Sequence, residues 1–247
     1  MKQAPNTALR VRPQAARTPQ SIATRAKLVA IAERLFAERG IEGVSLSDIN
    51  KAAGQRNKNA THYHFGSKQG LLQAILDKHV HGVSARRNQL LDEFEGQGPL
   101  SLPQVVRAFV YPVAEKLFDA DGGHHFIRFQ AQLVATLTLD VHQLHASALK
   151  IAPVERLTAA LRTATPHLAP PLMRQRAMLA TVLLFDGLAD HSRMLEQADL
   201  PSPQIDTELF IRNLEDCIIA LFSAAVSPAT AERLAIAGAA APGTTLE

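Results

Sequence analysis

The sequence predicts an all-α fold, on three observations. Apolar residues recur at i, i+3, i+4 and i+7 in segment after segment, the period of a helix with one buried face. No convincing two-residue alternation and no Asn-Gly hairpin appears between them. Clusters such as Gly96-Gln97-Gly98-Pro99 and Pro201-Ser202-Pro203 punctuate the periodic stretches instead. With 247 residues, 47% of them hydrophobic and 20% charged, the chain is long enough for one large domain or two small ones. That balance excludes a disordered or collagen-like polymer.

Residues 1–18 hold Pro5, Arg10, Arg12, Pro13 and Arg17 and no acidic residue, and read as a flexible basic arm. From about Pro19 to Arg39, Leu28, Ile31, Ala32, Leu35 and Phe36 fall on one helix face, and Gly40 is the stop. Ser45-x-x-Asp48 has the form of a capping box, opening a short helix that ends near Ala53-Gly54. Ile49, Ala52 and Ala53 are expected to face the first helix. After a polar turn, a third short helix runs to about Phe65. Gly66 breaks it, and Ser67 caps a long fourth helix from Lys68 towards Phe94. Further helices are expected near 102–119, 123–146, 153–164, 171–197, 205–225 and 228–237, followed by a flexible tail over 238–247. The expected organisation is an arm (1–18), a small three-helix domain (19–67), a larger helical domain (68–237) and the tail.

Several classes of function are disfavoured. The single cysteine, Cys217, leaves no disulfide framework and no multi-cysteine metal site, and it reads as a small buried apolar residue. No run approaches the 18 or so apolar residues of a membrane span, and no secretory signal is recognisable, so a cytoplasmic protein without a membrane partner is expected. There is no Gly-rich phosphate loop, HExxH or GxSxG motif. His142-x-x-His145 and Asp186-x-x-x-Asp190-His191 have spacings that share a helix face, but ten histidines produce such pairs by chance. No catalytic residue, metal or cofactor is therefore assigned. Charge is unevenly placed: residues 1–70 carry 12 Lys/Arg and 4 Asp/Glu, whereas the remainder carries 14 and 19. A basic end on an acidic remainder points to a polyanion or to a solvated tail.

Two short helices joined by a tight turn, behind a longer supporting helix, make a helix-turn-helix candidate. The major groove of DNA admits one helix, and a second must brace it across the backbone. The stretch from Gln55 to Phe65 (Gln-Arg-Asn-Lys-Asn-Ala-Thr-His-Tyr-His-Phe) has no acidic residue and few aliphatic ones. It carries hydrogen-bonding side chains, two cations and an aromatic ring, which suits a groove.

At these residues the sequence resembles the TetR family of bacterial transcriptional regulators. The resemblance is carried by "AERLFAERGIEGVSLSDINKAAG" and "THYHFGSKQGLLQAIL", within residues 28–76. It implies a helix-turn-helix DNA-binding domain followed by an all-helical effector-binding and dimerisation domain. Between Gly54 and Phe65 this chain has one residue more than the commonest family pattern, which either lengthens the turn or starts the recognition helix one residue early. Aligned back from Phe65, His62 takes the place of a phosphate-contacting Tyr, Tyr63 and His64 match the next two groove- and phosphate-facing positions, and Lys68 matches a phosphate-contacting Lys. The resemblance and the chemistry together assign His62, His64 and Lys68 to phosphate, with Ser45 and Ser47 reaching phosphates from the start of the second helix. Arg56, Asn57, Lys58, Asn59, Thr61 and Tyr63 are the candidate base readers, since Arg and Lys suit guanine, Asn suits adenine, and a Thr methyl or Tyr ring packs on thymine. Tyr63 and His62 have packing of the small domain as an alternative role. For Arg10, Arg12 and Arg17 the alternatives are a minor-groove arm, general phosphate attraction, or no contact.

In the resembled family the helical remainder binds a small molecule and forms the dimer through its last two long helices. Here these are about 171–197 and 205–225, with Ala180, Leu184, Gly187 and His191 on one stripe and Leu214, Ile218 and Leu221 on another. The alternative for both stripes is the protomer's own core, and for the second stripe core and interface are both expected to hold in part. A ligand pocket is expected among the helices between 68 and 164, lined by Phe109, Val113, Phe118, Phe126, Phe129, Gln132 and Leu133, with ordinary core packing as the alternative.

The function expected is that of a homodimeric transcriptional regulator binding double-stranded DNA. It is read as a repressor that a small hydrophobic effector releases from a palindromic operator. The rivals are an activator or effector-independent regulator with the same DNA-binding heads, and an all-α enzyme or metal-binding protein using the His/Asp pairs.

Overall fold

A computed structural model describes residues 18–139, 154–196 and 206–239. Arg10, Arg12, Arg17, His142, His145 and most of the C-terminal tail lie outside the described residues. Ten α-helices follow one another there: α1 (Pro19–Arg39), α2 (Leu46–Ala52), α3 (Ala60–Phe65), α4 (Lys68–Glu95), α5 (Leu102–Ala114), α6 (Gly123–Leu139), α7 (Glu155–Ala164), α8 (Pro170–Glu196), α9 (Thr207–Ser223) and α10 (Pro228–Ala239). The described residues contain no strand, and the fold is all-α.

Local chemistry sets the helix ends. Thr18 Oγ1 accepts the Ser21 N–H ahead of Pro19, a residue whose missing N–H is harmless at a first helical position. The Ser45 box closes in both directions: Ser45 Oγ accepts the Asp48 N–H at 3.2 Å, and Asp48 Oδ2 accepts the Ser45 N–H at 3.0 Å. Ser67 Oγ accepts the Gly70 N–H at 3.1 Å and starts α4. Gly40, at φ +86°, turns the chain out of α1 through a region that side-chain-bearing residues disfavour. The segment expected as one helix over 102–119 is instead α5 and a separate 3-10 turn over Glu115–Phe118. The change follows Pro112, which has no N–H for the helical ladder.

One continuous apolar cluster joins the small head to the large body. Leu28, Ala32, Leu35 and Phe36 of α1 pack with Leu71, Ile75 and Leu76 of α4, Phe126, Ile127 and Phe129 of α6, Leu184 and Leu188 of α8, and Ile218 of α9. A second, smaller cluster brings Leu90 and Leu91 of α4 against Val105 and Ala108 of α5 and Leu157 of α7.

Polar groups fasten the same junction. Glu33 of α1 is 1% exposed, and its carboxylate lies 2.5 Å from His79 Nε2 and 3.0 Å from Lys78 Nζ, both on α4. Lys78 also reaches Asp121 Oδ1 at 3.0 Å. Gly122 sits at φ +81°, and a Cβ there would fall 2.7 Å from Glu33 Oε2. On the other side of α1, Gln132 of α6 closes the helix end. Its Oε1 accepts the Ile41 N–H at 2.9 Å, and its Nε2 donates to the Phe36 carbonyl at 2.9 Å. Phe129 stacks on Phe36, with ring centroids 6.3 Å apart.

Removing one member of a buried ionic cluster strands the others away from water. Glu33→Ala is therefore expected to lower the unfolding free energy by about 3 kcal/mol. Urea titration followed by circular dichroism measures this, and an unchanged midpoint would contradict the bridging role of Glu33.

Candidate nucleic-acid interface and interior cavity

The head presents α2, a turn over residues 53–59, and α3. Ile49 and Ala53 are buried against the head's core, whereas Ala52, expected beside them, is exposed. The extra residue lengthens the turn, since α3 begins only at Ala60 and is six residues long. The turn bends at Gly54 (φ +64°), and Asn57 Oδ1 accepts the Asn59 N–H at 2.9 Å within it.

Asn50, 4% exposed, ties this turn down. Its Nδ2 donates to the Lys58 carbonyl at 2.6 Å and to Thr61 Oγ1 at 3.0 Å, while its Oδ1 accepts the Thr61 N–H at 3.1 Å. Thr61 is 1% exposed and spends its hydroxyl on this network. Its expected place among the base readers is corrected: it locks α3 to α2 from inside, because a short helix with so few apolar residues is held by hydrogen bonds.

The remaining candidates in the head face outward. Ser45, Ser47, Arg56, Asn57, Lys58, Asn59, His62 and Tyr63 are exposed, and His64 and Lys68 are half-buried. Tyr63 is 79% exposed, an unusual position for a large ring, and meets only the edge of His64 at 5.1 Å among aromatic neighbours. Lys68 Nζ lies 5.9 Å above the Phe36 ring, so its stem packs on the core while its charge stays at the surface.

The body holds a partly open cavity of about 540 Å³, within the range of small-molecule sites. Six helices wall it: α4 with Val80 and Val83, α5 with Phe109 and Val113, α6 with Phe126, Gln130 and Leu133, α7 with Leu157, α8 with Phe185, and α9 with Phe222. Phe109, Val113, Phe126 and Leu133 are four of the seven residues the sequence pointed to. Phe118 is not part of the wall: it ends the 3-10 turn beyond α5, which is wound differently from the α-helix, and it is 70% exposed. Phe129 and Gln132 lie on the flank of α6 that holds α1 rather than on the cavity face. Two polar wall residues on α4, Ser84 and Arg87, had no signal in the sequence. Arg87 is 9% exposed, its Nε has no hydrogen-bond partner, and neither does Ser84 Oγ. Burial holds the Arg87 guanidinium below its ordinary pKa.

A family model described as bacterial regulatory proteins of the tetR family matches residues 28–75, the span from α1 into α4. The HTH-type transcriptional regulator TtgR of Pseudomonas putida is 38% identical over 77 residues, which is 30% of this chain and 36% of that protein. The same figures hold for "Probable HTH-type transcriptional regulator ArpR", also of Pseudomonas putida. The aligned region thus spans about a third of the length of these curated relatives. A solved structure of a TetR-family transcriptional regulator from Rhodococcus sp. has the same fold, with a TM-score of 0.51 at 20% identity over 81% of this chain and all of the other. The likeness to the tetR family thus lies in the head and the start of α4.

The stripes expected at a dimer interface face the protomer's own interior. Ala180, Leu184, His191, Leu214 and Ile218 are at most 5% exposed, and Leu221 is half-buried against the core. Gly187 lies between Phe210 and Leu214, and its missing side chain lets α8 approach α9 closely. His191 donates or accepts a hydrogen bond with Thr207 Oγ1 at 3.0 Å and stacks on Phe210, which accounts for it without a metal. Cys217, read as buried, is exposed. Asp190 pairs with Arg193, and the described residues contain no group of three metal-ligating side chains. No helix among them is long and apolar enough to cross a membrane.

Asn50 yields a direct test of the head's construction. Asn50→Ala leaves the Lys58 carbonyl and the Thr61 N–H without their partner, at a cost of about 2 kcal/mol. Hydrogen exchange should show amides 57–63 losing protection while α8 and α9 keep theirs. Uniform protection in the variant would show that the turn is held by something else.

Proposed function

We propose that the protein is a homodimeric transcriptional repressor, not an enzyme, whose two heads bind half-sites of a palindromic operator and which a small hydrophobic effector releases. The observation that carries the DNA reading is the outward, acid-free surface from Gln55 to His64, with Tyr63 fully presented on it. No core need explains an exposed ring there, and a duplex groove does. Arg56, Asn57, Lys58, Asn59 and Tyr63 take the base edges, while Ser45, Ser47, His62, His64 and Lys68 take phosphates. The relatives named as HTH-type transcriptional regulators support the same reading.

The body supports the effector half of the proposal. Helix α4 starts at Lys68 beside the DNA face and lines the cavity from Leu76 to Arg87. A ligand that prefers one tilt of α4 changes the spacing of two paired heads, and it weakens DNA binding only if DNA prefers another tilt. For the pairing itself, the outer sides of α8 and α9 hold Leu179, Leu183, Met194 and Leu209, which are 38–66% exposed. Apolar side chains in that number on two adjacent helices fit a second copy of the chain.

Two measurements test these assignments. In titrations of an operator taken from the DNA beside the coding region, Tyr63→Ala should lose about 1–3 kcal/mol of preference for operator over random duplex. Lys68→Ala should weaken binding to both duplexes and lower the salt slope by about one unit. If neither variant alters the titration, the DNA surface is misassigned. Sedimentation of Leu183→Glu should show monomers where the parent chain forms dimers, with a parallel loss of operator affinity. A dimer that tolerates the charge would place the interface elsewhere.

A further inference from the structure

We propose that the cavity takes a monoanionic amphipath, a carboxylate on an apolar body, and that Arg87 with Ser84 holds the carboxylate. This rests on the reading of the cavity as the effector site and adds the chemistry of the ligand. The wall is apolar over nearly all its extent, with Phe109, Phe126, Phe185 and Leu133 facing the space. In that wall stands a guanidinium that is nine-tenths buried and has no carboxylate partner among the described residues. Other arginines withdrawn from solvent in the body have partners: Arg128 has Glu196, Arg107 has Glu215, Arg86 has Glu115, and Arg176 has the Phe222 and Ala224 carbonyls.

A buried cation without an anion is costly, because the site replaces none of the water it removes. A ligand carboxylate would supply the missing charge and charge-assisted hydrogen bonds to the guanidinium. Ser84 sits one helical turn before Arg87 on the same side of α4, and its hydroxyl, also unpartnered, would donate to a second carboxylate lone pair. The charge count limits the ligand further. Arg87 is the one cation among the described wall residues, so a phosphate dianion would bring charge that nothing balances.

The test uses matched pairs that differ only in the head group: decanoate against decan-1-ol, and 4-butylbenzoate against 4-butylbenzyl alcohol. Each is titrated calorimetrically into the full chain and into Arg87→Met, Arg87→Lys and Ser84→Ala. The parent chain should prefer each carboxylate by about tenfold or more. Arg87→Met should erase that preference and leave alcohol affinity nearly unchanged, which also shows that the cavity survives the substitution. Arg87→Lys should keep part of the preference, and Ser84→Ala should reduce it. Equal affinity for acid and alcohol in the parent chain, failure of both carboxylates to bind, or a preference that persists in Arg87→Met overturns the proposal. Operator affinity of ligand-free parent chain is measured alongside. Its absence would sink the regulator reading and leave the carboxylate result standing, whereas DNA binding without carboxylate preference would sink only the proposal made here.

Discussion

The junction between head and body turns on one side-chain amide. At the end of α1 the Gly40 N–H still bonds to the Phe36 carbonyl, but that carbonyl keeps a second lone pair and the Ile41 N–H beyond it stands outside the helical ladder. Gln132 meets both needs at once, donating to the Phe36 carbonyl and accepting from Ile41. A carboxylate in its place would keep the acceptor and repel the carbonyls. Helices of seven and six residues, such as α2 and α3, do not persist alone in water. Their position is inherited from α1, and that of α1 from its grip on α6 and α4.

The same two helices that hold the head also wall the cavity, on different faces. Around α6, Phe126, Gln130 and Leu133 look into the cavity, while Phe129 and Gln132 lie about 60–120° round from Phe126 and engage α1. Phe126 is shared between both tasks. It forms part of the wall and stacks on His79 at 4.3 Å, and His79 in turn contacts Glu33 of α1. Close-packed interiors pass displacements on rather than absorbing them. A shift of Phe126 therefore has a short physical route to the head through a ring, an imidazole and a carboxylate, alongside the route through α4.

Much of this was legible in the sequence, and the rest was hidden for definite reasons. Helix ends were readable because caps are local: Ser45, Ser67, Gly40 and Gly66 act on neighbours within four residues. Facing directions were less readable. The stripe of Ala180, Leu184, Gly187 and His191 has the right period for a buried face, but periodicity does not say whether the neighbour is α9 of the same protomer or of another. Gln132 and Phe129 shared a segment with true wall residues, and only the direction of α6 relative to α1 separates their roles. Asn50 and Thr61 are polar residues in a polar stretch, and nothing in composition distinguishes an inward hydrogen-bonding pair from outward readers of DNA. Arg87 was silent because a buried arginine and a solvated one have the same spacing on a long helix.

The cost of Arg87 bears on how such a body could transmit a signal. An uncompensated charge in an apolar wall raises the free energy of a tightly packed, empty cavity relative to looser arrangements of α4. An anion that pairs with the guanidinium reverses the balance and favours one tight arrangement of α4 against α5 and α6. The coupling is reciprocal: if that arrangement suits DNA poorly, operator DNA weakens the anion by the same factor that the anion weakens DNA. A neutral ligand of the same shape would fill the volume and leave the charge as it was. Selectivity for an anion and leverage on α4 would then have a single physical source, the charge that the fold itself leaves unpaired.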